Sequence, residues 1–161
     1  MTFFRRQGYF VGAPPRVQNI RGGGARDRQC IRFQTYSHPD FKFYDELFYP
    51  MHENKGLRRK KRIPKDIDKF LTPRALAYWF MDDGTYHTNK SVTRNYVFAT
   101  HSFPLEDQET LVQALRDNFE IAATIQKHRS YYMLYILKKS TNPFVDLIRP
   151  YLHTCFDYKI L

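Results

Sequence analysis

The sequence predicts an α+β fold, in which short helices and antiparallel strands build a C-terminal domain preceded by a hairpin and one helix. Three observations predict it. From Thr72 onward the apolar pattern switches between helical and strand periods in the order α-β-(β)-α-β-β-α, the bracketed strand being the least marked. Residues 8–36 read as extended and residues 37–49 as helical. Hydrophobic residues make up 42% of 161 and aromatics 17%, enough for a packed core and too apolar for a disordered chain.

In the first stretch, Ile31, Phe33 and Thr35 alternate with Arg32, Gln34 and Tyr36, the period of a half-buried strand. Gly22 to Gly24 supply the turn of a hairpin whose polar face carries Arg16, Gln18, Arg32 and Gln34. Ser37 then caps a helix with Phe41, Tyr44, Leu47 and Phe48 at helical spacing, stopped by Pro50. Residues 51–71 read as a polar connector holding the densest basic run, Arg58, Arg59, Lys60, Lys61 and Arg62. Three regions follow: a partial N-terminal half over 1–50, the connector over 51–71 and the α+β domain over 72–161. The β-β-α order of residues 8–49 resembles that of 121–149, the pattern of a diverged internal repeat.

The last region is the most regular. Thr72-Pro73 opens a helix that Gly84 stops, and its "LAYWFM" is apolar on every side, which predicts burial on several faces. "SVTRNYVFATHSF" reads as strand, and "PLEDQETLVQALRDNF" as an amphipathic helix with Leu111, Leu115 and Phe119 inward. "IAATIQKH" and "YYMLYILKK" form a hairpin turning over His128 to Ser130. "TNPFVDLIRPYL" is a final helix ending before Pro150.

Charge narrows the partners. Lys and Arg number 26 against 16 Asp and Glu, a net +10, which suits nucleic acid or another anionic surface. No apolar run approaches the ~18 residues of a membrane span, so no membrane role is expected. The opening "MTFFRRQGYFVGAPP" lacks the apolar segment of a secretory signal, while a short organellar presequence stays open. Cys30 and Cys155 form no Cys-x-x-Cys and fit a reducing compartment. The six histidines lack metal-ligand spacing, and no glycine-rich phosphate loop follows a strand.

The helix beginning at Thr72 breaks a local rule twice. It ends in Asp82 and Asp83, whose charges oppose the negative end of the helix dipole at about 0.3–1 kcal/mol each. Such breaks collect at functional sites. A divalent cation removes the conflict, since Mg²⁺ takes one or two carboxylates together with phosphate oxygens and water. A solvated Asp-Asp-Gly turn is the plain alternative.

"LAYWFMDDG", Leu76 to Gly84, resembles the nine-residue LAGLIDADG pattern in length and register, with Leu first, Ala second and Asp-Gly last. "LTPRALAYWFMDDG" is similar to the second motif of single-chain, intron-encoded homing endonucleases. The resemblance implies an αββαββα half-domain with a saddle-shaped antiparallel sheet lying in the major groove of double-stranded DNA. It also implies Asp83 as metal ligand, with Asp82 second, and Mg²⁺ or Mn²⁺ as cofactor for phosphodiester hydrolysis. "KKRIP" matches a family segment that places a catalytic lysine at Lys61, and "FDYKIL" matches one that places another at Lys159. Arg16, Arg32, Arg58, Arg59, Lys60, Arg94, Lys127, Arg129 and Lys138 are then expected to read bases or grip phosphates.

One feature departs from the pattern. No other apolar helix ending in Asp-Gly or Glu-Gly occurs between Met1 and Phe70, and Tyr78 and Trp79 replace the small residues that let two motif helices approach. A missing N-terminal LAGLIDADG segment, or a second chain, is therefore expected to complete the active site. The alternatives are an RNA-binding maturase of intron RNA on the same scaffold and an inactive, truncated reading frame. The resemblance points to a mitochondrion or chloroplast.

Overall fold

Thr72 accepts a hydrogen bond at Oγ1 from the Ala75 amide at 3.1 Å, and Pro73 follows it in the first turn. The helix that defines the fold thus starts where its cap and proline require. The structure, a computed structural model, describes residues 16–20, 28–32, 37–50, 60–88 and 94–160. It divides into two units, Met1–Glu46 and Leu47–Leu161.

In the first unit, strands β1 (Arg16–Ile20) and β2 (Arg28–Arg32) form an antiparallel hairpin with Arg16 opposite Arg32. The expected glycine turn, and Gln34 of the polar row, lie outside the described residues. Ile31, expected on an inward face, is 70% exposed, and Val17 beside it 64%. The alternation is present, but a two-stranded ribbon has no second layer of its own to cover its apolar face. Helix α1 (Pro39–Phe48) contains no buried residue.

In the second unit, helix α2 (Pro73–Asp83) leads into strand β3 (Gly84–Thr88). Strand β4 (Arg94–Phe98), helix α3 (Leu105–Phe119), strands β5 (Ala123–His128) and β6 (Tyr131–Ile136) and helix α4 (Thr141–Ile148) follow. This is the predicted αββαββα order. The strands form one antiparallel sheet in the order β3-β4-β6-β5. Tyr96, Phe98, Leu134 and Ile136 share one face by register and join the core with Leu76, Phe80, Leu111, Leu115, Phe144 and Ile148. Phe80 sits at the centre, edge-on to Tyr96, Phe98 and Phe144 at centroid distances of 5.5, 5.7 and 5.3 Å. Each such pair adds about 0.5–1.5 kcal/mol beyond burial.

Three details differ from expectation. Helix α2 is not buried all round: Leu76, Ala77, Phe80 and Met81 are buried, but Tyr78 is 59% exposed. The sheet and α4 cover one side of it, leaving the other open. Gly84 ends the helix in an extended conformation, φ −84°, without a left-handed turn. Glycine is needed there because a Cβ would run into the ring and carbonyl of Phe80. Nor is the end of the connector a free linker. A 3-10 turn over Ile67–Lys69 places Ile67 and Leu71 in the core, and Asn118 donates to the carbonyls of Asp68 and Leu71 at 2.6 and 3.0 Å. Among the described residues no helix is long and apolar enough to cross a membrane.

Candidate active site and nucleic-acid interface

The C-terminal end of α2 carries the concentration of chemistry. Asp82 and Asp83 are both exposed, and they line a cleft with Lys61, Trp79, Phe70 and Phe103. The Lys61 ammonium stands 5.0 Å from the centroid of the Phe103 ring. The backbone at Asp83 is tied to the sheet, since its carbonyl accepts from the Ala99 amide at 3.1 Å. Three residues singled out in the sequence, Lys61, Asp82 and Asp83, thus come together in one place.

Lys159 joins them differently. It is buried, and its ammonium donates to the carbonyls of Phe80, Met81 and Gly84 at 3.3, 2.7 and 2.7 Å. They lie at the end of α2, where the Phe80 carbonyl also accepts from the Gly84 amide and the carbonyls beyond it lack a partner inside the helix. Lys159 is therefore a cationic cap on the helix that presents Asp82 and Asp83, and it offsets part of their conflict with the dipole. Burial pushes its ammonium below the ordinary lysine range, opposed by the nearby charges of Asp82 and Asp83.

A folded-state value below the unfolded value of 10.5 means that the unfolded chain holds the proton more tightly. Stability contributed by this group is thus fully present above 10.5 and is lost as pH falls through the folded value. Lys159→Met should remove a donor from the Met81 and Gly84 carbonyls, while Phe80 keeps the Gly84 amide, and lower stability by about 1–3 kcal/mol in urea unfolding. Between the folded value and 10.5, the wild type should gain stability on the variant as pH rises. An unchanged unfolding midpoint would show that the cap contributes nothing.

The remaining predicted contacts are dispersed. Arg16 and Arg32 are exposed, opposite each other on the hairpin, and Lys60 is exposed at the start of the connector's described part. Arg58 and Arg59 lie outside the described residues, and Arg94 pairs with Thr88 through the backbone at the start of β4. Lys127 is exposed, yet by register it shares the helix-packed side of the sheet with Tyr132. Arg129 occupies the β5–β6 turn with φ 52°, a left-handed backbone that costs a non-glycine residue on the order of 1 kcal/mol. Lys138 lines a shallow concavity with His87, Asn95, Thr124, Gln126, His128 and Tyr135.

That concavity is what the sequence reading missed. On the sheet face opposite the core, Tyr135 stacks on both His87 and His128 at 6.4 and 5.7 Å, and its hydroxyl lies 2.6 Å from His128 Nε2. Desolvation, and secondarily Tyr131, raises the Tyr135 phenol above its ordinary value, so it keeps its proton. The available signal was alternation along β5, where Thr124, Gln126 and His128 fall on one side.

An antiparallel four-stranded sheet backed by helices, with one open polar face and a paired-carboxylate cleft containing lysine, has the makings of a half-domain that grips and hydrolyses a polyanion. Residues 7–144 match the profile of the LAGLIDADG DNA endonuclease family, and the chain belongs to that family. It is 32% identical to intron-encoded endonuclease ai4 of Dictyostelium discoideum, covering 98% of this chain and 96% of that protein. It is also 32% identical to the cytochrome b mRNA maturase bI2 of Debaryomyces hansenii, covering 95% of this chain but 55% of the maturase. Among solved structures, the homing endonuclease I-WcaI bound to its DNA recognition sequence superposes with a TM-score of 0.82 at 28% identity, over 99% of this chain and 69% of that one.

Proposed function

We propose that this protein is a metal-dependent, site-specific endonuclease of double-stranded DNA, of the intron-homing kind, acting in a mitochondrion or chloroplast. The observation that carries the reading is the cleft that joins Asp82 and Asp83 to Lys61 at the end of a capped helix. The donor set fits Mg²⁺ or Mn²⁺. Two adjacent exposed carboxylates offer hard oxygens. Mg²⁺ favours such a partial set, which leaves positions for phosphate oxygens and water.

Asp83 would hold the cation, with Asp82 second, and the bound metal supplies Lewis-acid polarisation of phosphate and activation of water. Lys61 places positive charge where negative charge develops on the phosphate. Lys159 holds the helix end and so the carboxylates. The open face of the sheet, His87, Asn95, Gln126 and His128 with Tyr135, offers donors and acceptors to base edges in the major groove. The exposed cations grip phosphates.

Assembly is part of the same proposal. One carboxylate pair serves one strand, while Tyr78, Val17 and Ile31 are large apolar residues more than half exposed. Surfaces of that kind do not stay bare. A segment bearing a first LAGLIDADG motif covers the open side of α2, in preference to a second copy that Tyr78 and Trp79 would crowd. The 161-residue chain alone should self-associate in light scattering and cut a target plasmid weakly. Adding the first-motif segment should restore double-strand cutting. A soluble monomer that cuts both strands unaided would overturn the placement of the site.

Similarity to the Debaryomyces hansenii maturase favours a second reading, assistance of intron splicing through RNA. In that case an Asp83→Asn chain should still promote splicing of its intron transcript.

A further inference from the structure

Lys61 belongs to no helix or strand, yet it reaches the carboxylate cleft. Two consecutive residues of α3 flank it. Asp107, 4% exposed, accepts from Arg62 Nε at 3.2 and 3.0 Å, from Arg62 Nη2 at 2.9 Å and from the Ile63 amide at 2.7 Å. Glu106 takes a further bond from the same guanidinium. The two residues that follow Lys61 are thus clamped to the first turn of α3, where the helix dipole also favours a carboxylate. Hydrogen bonding by Asp107 holds the Arg62 guanidinium above its ordinary value, so the guanidinium keeps its charge.

Gln108, fully buried, works from the other side. It accepts from the Thr100 hydroxyl at 2.7 Å and donates to the carbonyls of Thr100 and Phe103, both at 3.1 Å. The loop bearing Phe103 is thereby anchored, and with it the ring that faces the Lys61 ammonium. Lys61 is itself exposed, and one helical turn thus fixes both the chain beside it and the ring that its ammonium faces.

We propose that Asp107 and Gln108 are positioning residues for Lys61: Asp107 clamps its chain through Arg62 and Ile63, and Gln108 holds the Phe103 ring against its ammonium. The proposal rests on the reading of Lys61 as the charge-stabilising residue of the cleft. It does not make either residue a contact to DNA.

The test uses the full chain, joined to a first-motif segment where cutting requires one, and a duplex target selected by the wild type from a randomised library. Asp107→Asn should slow single-turnover cleavage at saturating DNA by about 10- to 100-fold, as small misplacements of catalytic groups do, with binding little changed. Combined with Lys61→Met, it should slow cleavage no further than Lys61→Met alone, because both act through one ammonium. Phe103→Leu should couple to Lys61→Met in the same way, and it carries the test if Asp107→Asn fails to fold. Multiplying losses overturn the proposal.

A second measurement needs no activity. Competitive acylation of the lysines, read by mass spectrometry without DNA, should give Lys61, whose ammonium faces the Phe103 ring, a rate distinct from that of Lys65 in the wild type, although both are exposed. In Asp107→Asn and in Phe103→Leu the two rates should converge. Unchanged Lys61 labelling in both variants overturns the positioning role. A wild type that cuts no duplex instead overturns the proposed function, and the labelling still decides whether Lys61 is held.

Discussion

Asp83→Asn should abolish strand cleavage while leaving specific DNA binding within about tenfold of wild type. The amide has nearly the shape of the carboxylate, so the helix end and its tie to Ala99 should persist. What it loses is the negative charge that a hard cation requires. The loss is expected to be near-complete because Asp82, the adjacent carboxylate, points about 100° away around the helix and cannot take over the same geometry. Cleavage of a supercoiled target plasmid measures it, with binding followed in parallel by fluorescence anisotropy in Ca²⁺. Full nicking activity in the purified variant would remove Asp83 from the site.

Affinity for the target duplex should fall by about 10³–10⁵ between 50 and 200 mM salt, the loss that follows when about 6–10 phosphates are neutralised. The net charge of +10 supplies the means, and Arg16, Arg32, Lys60, Arg129 and Lys138 are all exposed, while Lys127, exposed on the helix-packed side of the sheet, is expected to matter least. Substituting single members of this group should weaken binding across sequences and flatten the slope by about one unit each. Lys138, on the rim of the open sheet face, is the one expected to affect sequence preference as well. A binding constant flat over that salt range, with duplex DNA and with RNA, would argue against a nucleic-acid partner altogether.

The two expectations draw on different parts of the chain. Asp83 stands out as a candidate through a local contradiction, two acidic residues closing an apolar helix, reinforced by the register of "LAYWFMDDG". The cations were legible only as composition. Which of them face a groove depends on strand register, and a slip of one residue moves every side chain to the other face. Lys127 illustrates this, since register puts it on the side packed by helices. His87, Asn95 and His128 illustrate the converse. They are neither basic enough nor apolar enough to stand out until pairing sets them on one surface with Tyr135.

By itself the sequence determined the start of α2 at Thr72-Pro73, its end at Asp82-Asp83-Gly84 and the helices and hairpin that follow, while the full αββαββα order, with the strand Gly84–Thr88 that no apolar period marked, came with the family resemblance. Helix caps, turn residues and apolar periods act within a few residues along the chain, so they can be read without coordinates. Only the tertiary structure decided that Lys159 caps the carbonyls of Phe80, Met81 and Gly84, that Asp107 clamps Arg62, and that the end of the connector is core. Those contacts join residues 45 to 79 positions apart. They form because burial in a shared core brings distant polar groups within reach and leaves them costly to leave unpaired.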